Sequence, residues 1–194
     1  MSLVLTSPPA QEPVSLADAK AHLRVDAGDD DALITRLITA ARSELERGLG
    51  RALISQSYTY YLDAWPGGFA VTLPVAPVQT IDQARIYALD DSFAILPPAS
   101  YLLDGLGSPP RLIRRGTLPW PVPLRPGNGI AIDFTCGHGA QPADVPAALR
   151  VALLILVAHW YEHRQLTEPG GGGPATTLPE MVRDLISPYR VRRL

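Results

Sequence analysis

The sequence predicts an α+β protein in which helices from both chain ends form a bundle and an antiparallel β-rich lobe is inserted between them. Three observations lead there. Apolar residues recur at helical spacing near both ends of the chain. Between them, from Ile54 to His138, lie short runs of β-branched and aromatic residues separated by Pro and Gly clusters. No segment of crossover-helix length separates those runs, which favours antiparallel pairing. The chain therefore divides into an N-terminal arm with helices (1–53), the lobe (54–140), a long central helix with a short final one (141–187), and a C-terminal tail (188–194).

Residues 1–13 carry three prolines and little periodicity, so an extended arm is expected. Ser15 has the character of an N-cap, with Asp18 in the capping-box position, and a helix follows over roughly Leu16 to Leu23. Asp29, Asp30 and Asp31 then precede Leu33, Ile34, Leu37, Ile38, Ala41 and Leu45, one apolar stripe. Carboxylates in a first turn meet the positive end of the helix dipole, so the acidic run reads as a cap rather than a metal site. Gly48 and Gly50 mark the end of that helix.

Strands are expected at Ser57 to Leu62, Val78 to Leu89, Tyr101 to Leu103, Arg111 to Arg114 and Ile130 to Thr135. Asp144 and Pro146 suit the start of the long helix, which runs through Leu149, Leu153, Val157 and Trp160 to about Gln165. At 1.5 Å per residue its ~22 residues give a rod of about 33 Å. Arg150, His159, Glu162, His163 and Arg164 interrupt its apolar surface, so it reads as a buried central helix and not a membrane span. Gly170 to Gly173 reads as a flexible break, Leu178 to Ile186 as a last short helix, and Ser187-Pro188 as its stop.

Composition narrows the function classes. The 194 residues fit one ordinary domain, and the chain opens without the features of a signal peptide, so a cytoplasmic protein is expected. A single cysteine, Cys136, excludes an internal disulfide and a thiolate-rich metal site. The net charge of -2 argues against a surface that grips nucleic acid throughout, because such binding neutralises many phosphates.

Motifs that could carry chemistry are few. His159-Trp160-Tyr161-Glu162-His163 satisfies the H-x-x-E-H pattern of inverted zinc peptidases, and two histidines four apart share a helical face. A catalytic zinc needs a third protein ligand, and the following acids, Glu168, Glu180 and Asp184, sit on no obvious facing helix. Cys136-Gly137-His138 places a thiol near an imidazole, but closeness in sequence is not nucleophile-base geometry, and the flanking glycines suggest a turn. The glycine run lacks the Lys-Ser/Thr of a phosphate loop, and no G-x-S-x-G elbow occurs. Asp90-Asp91 reads as a solvated turn between strands. The terminal Tyr189-Arg190-Val191-Arg192-Arg193-Leu194 alternates like a strand with two faces, and reads either as a docking peptide or as a frayed basic terminus.

Several stretches taken together resemble one family, the head-tail connector (adaptor, or head-completion) proteins of long-tailed phages, prophages and gene transfer agents. They are Pro13-Val14-Ser15-Leu16-Ala17-Asp18-Ala19-Lys20-Ala21-His22-Leu23-Arg24-Val25-Asp26 with Asp29-Asp30-Asp31-Ala32-Leu33-Ile34, then Ala40-Ala41-Arg42, Glu46 and Gly50-Arg51-Ala52-Leu53. Leu73-Pro74-Val75-Ala76-Pro77-Val78, Asp144-Val145-Pro146-Ala147-Ala148-Leu149, the His159 to Arg164 stretch and Leu185-Ile186-Ser187-Pro188-Tyr189-Arg190 complete the set. The resemblance spans nearly the whole chain and lies in the order and spacing of the pieces. Shorter members of the family are mainly helical, so the β lobe is a departure.

The resemblance implies a structural protein without cofactor, metal or enzymatic activity. It implies a ring of about twelve subunits, closed by heterologous contacts, beneath the portal protein. A tail-side stopper or tail terminator protein would meet the other face, and DNA would pass through the channel without sequence-specific binding. The protein would occupy the host bacterial cytoplasm first and then the neck of the particle. The family's C-terminal segment reaches into the portal, which assigns portal docking to Pro188, Tyr189, Arg190, Val191, Arg192, Arg193 and Leu194. Two other function classes stand beside this one: a zinc hydrolase using His159, Glu162 and His163, and a small DNA-binding accessory factor acting through the Arg-rich tail.

Overall fold

Helix formation begins where the sequence supplies a cap. In the computed structural model, which describes residues 1–105, 107–117, 119–163 and 178–191, Ser15 and Asp18 form the expected reciprocal box. Ser15 Oγ accepts from the Asp18 N–H at 3.0 Å, and the Asp18 carboxylate accepts from the Ser15 N–H at 3.1 Å. These bonds open α1 (Leu16–Leu23), which Arg24 closes in the left-handed conformation.

The second helix, α2 (Asp31–Leu49), buries Ile34, Ile38, Ala41, Leu45 and Leu49 along one stripe and ends at Gly50, whose φ of 65° favours glycine. The acidic run before it acts differently from the expected cap. Asp30 holds the N-cap position with φ -96° and ψ 2°, outside the extended region from which a side chain folds back on the first turn, and makes no capping bond. Its carboxylate accepts from the Tyr161 hydroxyl instead, while Asp31 pairs with Lys20 of α1 at 2.6 Å. The aspartates thus tie elements together.

The long helix is shorter than the sequence suggests. Asp144 closes a 3-10 turn over Pro142–Asp144 by accepting from the Gln141 N–H at 2.8 Å, so α3 (Ala147–Glu162) starts only after Pro146. It ends at His163, and the expected extension to Gln165 and the glycine break lie outside the described residues. Among the described residues no helix is long and apolar enough to cross a membrane. The last helix, α4 (Glu180–Ile186), passes into a 3-10 turn over Ser187–Tyr189. One buried cluster draws Ala19 from α1, the stripe of α2, Leu149, Leu153, Leu156 and Val157 from α3, and Val182 and Ile186 from α4.

A second cluster belongs to two antiparallel sheets. Their strands are β1 (Ser2–Ser7), β2 (Gln56–Leu62), β3 (Ala70–Thr72), β4 (Val78–Tyr87), β5 (Phe93–Ile95), β6 (Tyr101–Asp104), β7 (Arg111–Arg114) and β8 (Ile130–Cys136). The larger sheet has the order β1-β2-β8-β4-β5 and the smaller β3-β7-β6. Central strand β8 is the most deeply placed, with Ile130, Ala131, Ile132, Phe134 and Cys136 buried, and Tyr58 stacks on Phe134 at 5.9 Å. Trp65 and Trp120 stack at 4.2 Å, with Trp120 belonging to the same core.

The N-terminal arm carries an extended segment whose partner the sequence does not announce. Instead of running free, Ser2–Ser7 pairs with β2, Leu3 opposite Tyr60 and Leu5 opposite Tyr58, so the larger sheet takes a strand from outside residues 54–140. Leu3, Val4, Leu5 and Thr6 suit a strand without alternating, and Pro8 follows where pairing stops. Cross-strand partners share a face, and one row, Ser2, Tyr61, Ala131, Arg85 and Ile95, crosses all five strands.

The capping box gives a local prediction. Ser15→Ala should lower the unfolding free energy by about 1 kcal/mol, read by urea denaturation, with the slope of the transition unchanged.

Candidate assembly interface

The C-terminal segment is rooted in the helical layer before it reaches its basic residues. Val182 and Ile186 are fully buried, and Tyr189 packs against the same cluster. Beyond the 3-10 turn the Val191 N–H donates to the Leu49 carbonyl at 3.1 Å, satisfying one of the free carbonyls at the end of α2. The Val191 side chain lies over Gly50, 3.7 Å from where a Cβ would stand. Arg51 Nε donates to the Tyr189 carbonyl.

Of the residues assigned to portal docking, Pro188, Tyr189, Arg190 and Val191 therefore lie along the end of α2, and Arg190 projects outward as an exposed side chain. Arg192, Arg193 and Leu194 fall outside the described residues. Sequence reasoning missed Leu49, Gly50 and Arg51 as the seat of this segment. The αL glycine was a visible signal, but it marks any helix end and carries no sign of what packs on it.

Beside that seat sits a largely buried carboxylate with three hydrogen-bond donors. Glu46, on α2, accepts from the Leu53 N–H at 2.8 Å, from Gln56 Nε2 at 2.9 Å and from Arg42 at 3.0 Å. Arg42 in turn pairs with Glu12 at 2.7 Å. Burial raises the Glu46 carboxyl above its ordinary value, and the bonds from Leu53, Arg42 and Gln56 offset only part of that rise. The network joins the arm, α2 and the entry to β2.

The other sequence candidates do not assemble into a reaction centre. His159 and His163 do face one another, with ring centroids 4.5 Å apart, but His163 Nδ1 bonds the His159 carbonyl at 2.8 Å. Among the described residues no third His, Cys, Asp or Glu joins a pair to hold a metal, and Glu168 lies outside them. The Cys136 thiol is aimed at the Gln56 carbonyl, 3.7 Å away, and burial pushes its pKa up to about 12, which leaves little thiolate. Burial also lowers the pKa of His138. Gly137, with φ 128°, leaves no room for a side chain, since a Cβ would stand 2.5 Å from the Ile54 carbonyl. Asp90 accepts from the Ser92 N–H and hydroxyl within its turn, and Asp91 pairs with Arg125 at 3.0 Å. Asp90 thus serves the turn, and Asp91 ties it to the segment before β8.

What remains is a molecule of surfaces. Residues 13–192 match the model of the head completion protein family. The chain belongs to that family. No curated protein matches it in sequence. Among solved structures, a chain of the virion of a native gene transfer agent (GTA) particle superposes with a TM-score of 0.85 at 29% identity, covering 100% of this chain and 97% of that one. A chain from the neck of an empty GTA particle, computed with C6 symmetry, gives 0.82 at 30% identity with the same coverage. A third, from the neck of a native GTA particle computed with C12 symmetry, gives 0.78 at 27% identity, again covering 100% and 97%. Head completion is a structural task, and this head completion protein is a structural, non-enzymatic one.

Two measurements follow. The folded Glu46 carboxyl keeps its proton to higher pH than the unfolded one, so the stability of the wild type relative to Glu46→Gln should decline as pH rises from near 4.5 to the raised folded value and level off above it. Urea unfolding of both proteins across that range reads the decline. Elemental analysis of the purified protein should find no stoichiometric zinc, with the metal content unaltered in His163→Ala.

Proposed function

We propose that this head completion protein is the adaptor of a phage-type neck, forming a ring of about twelve copies under the portal and linking the DNA-filled head to the tail. The observation that carries the reading is the match of its whole length to chains in GTA necks, one of them computed with C12 symmetry. A tail-side stopper or tail terminator protein meets the face opposite the portal. The helices from both chain ends work as one bundle that seats the portal-docking segment, Pro188 to Leu194, and the β lobe with its borrowed N-terminal strand supplies lateral and tail-side surface.

Physical features support each part. A ring needs two unlike faces that close by rotation, and a chain with a helical layer and a sheet layer offers them. The segment from Ser187 onward leaves the core at a fixed point, the end of α2, so a docking peptide there starts from a defined place and costs less order on binding than a free tail. With a net charge of -2 the protein does not hold DNA strongly overall, which suits a conduit through which the duplex slides.

Co-assembly with isolated portal rings tests the docking role. Deletion of residues 188–194 should abolish attachment, and the milder pair Arg192→Glu with Arg193→Glu should weaken it while leaving the unfolding transition near that of the wild type. Attachment that survives both changes would refute the role given to the tail.

A further inference from the structure

The larger sheet has two open ends. Among the described residues no strand pairs with the outer side of β1 or of β5. Both ends show apolar side chains to solvent: Leu3, Val4 and Leu5 are 38%, 46% and 47% exposed, and Phe93 and Ile95 are 51% and 53% exposed. Open, apolar strand edges invite a further strand, and single-chain proteins generally blunt them with charge or proline. Neither is present within β1 or β5.

We infer that the two edges are made for each other, so that β1 of one copy adds to β5 of the next and the sheets join into one continuous belt around the ring. This inference rests on the ring reading above and names the contact that closes it. Identical contacts between edges of one kind, β1 on β1 or β5 on β5, would end at a dimer, whereas β1 on β5 is heterologous and propagates.

The backbone of β5 is suitably turned. The Ala88 N–H donates to the Ser92 carbonyl and the Leu96 N–H to the Ala84 carbonyl, both at 2.8 Å, while Ala94 stands opposite Ile86. Residues 92, 94 and 96 thus address β4, and by the alternation of an antiparallel ladder Phe93 and Ile95 direct their N–H and C=O groups to the free side. All four pairings in the sheet are antiparallel, so β1 and β5 run in the same direction and the junction is a parallel one.

Side chains agree with the backbone on both faces. The row from Ser2 to Ile95 puts Val4 on the face of Phe93 and Ile95, and leaves Leu3 and Leu5 on the face of Ala94 and Leu96. A ring keeps each face of the belt on one side, so the same faces continue across the junction. Along the free edge of β5 runs a groove of about 490 Å³, lined by Phe93, Ala94, Ile95 and Leu96 and, across from them, by Val122 and Leu124. Val122 and Leu124 are 79% and 63% exposed. The incoming strand lies along that groove, Leu3 and Leu5 turning their exposed parts to it while lining a cavity beside α2 of their own copy, and Val4 packs beside Phe93 and Ile95.

Cross-linking in assembled necks tests the junction. Val4→Cys with Ile95→Cys, both on one face, is treated with a short bismaleimide; Cys136 is fully buried and does not compete. The expected result is a covalent ladder of this chain in the double variant, with monomers in either single variant. Ile95→Pro, which removes an outward N–H and no bond to β4, should abolish ring closure without shifting the unfolding transition of the free subunit. Dimers from a single variant, cross-links to a portal or tail protein instead, or rings visible in micrographs that yield no ladder and tolerate Ile95→Pro would each overturn the junction while leaving the ring in place. Necks that contain no ring of this chain would overturn the ring reading and the junction together.

Discussion

The architecture depends on one carboxylate. Glu46 lies where the last turns of α2 approach the start of β2, and its oxygens meet a backbone amide, a side-chain amide and a guanidinium. Removing such a group from water is costly, and only several donors held in place make it tolerable. The chain supplies them from Leu53, Gln56 and Arg42, and Arg42 brings Glu12 of the N-terminal arm with it. Helical and sheet layers, each with its own apolar cluster, are thereby fixed in register by polar bonds at a shared boundary. Ala52 and Ala76 add a backbone bond at 2.8 Å on the same boundary.

Much of the fold was legible because it follows from periodicity and local chemistry. The stripe of α2, the Ser15 and Asp18 box and strands β2, β4, β6, β7 and β8 each carry their signal within a few residues. What was hidden depends on partners far away in sequence. Ser2–Ser7 has a short apolar run without a period, and only pairing with the distant β2 makes it a strand. Strands β3 and β5 have three residues apiece, too few for a period to show. Asp144, two residues before Pro146, reads as the cap of the long helix, whereas the 3-10 turn that it closes claims it first.

The site was legible to a different degree. The resemblance led to the family, and the tail was singled out by its alternation of arginines with apolar residues. Its seat on α2 could not be read, because a carbonyl left over at a helix end has no sequence signature. The His159 and His163 pair shows the reverse case, a pattern that reads as chemistry and serves as the end of a helix, with one ring satisfied by the carbonyl one turn earlier. Function in this protein is a property of edges and ends, and those are the places where single-residue motifs say least.

Cys136 carries a last consequence. The chain's sole sulfhydryl sits in the middle strand of the larger sheet with no exposed surface and a strongly suppressed ionisation. Sulfenic acid formation and mixed disulfides both require a reachable thiolate. Subunits built on this strand can pass from reducing to oxidising surroundings with that sulfur chemically silent.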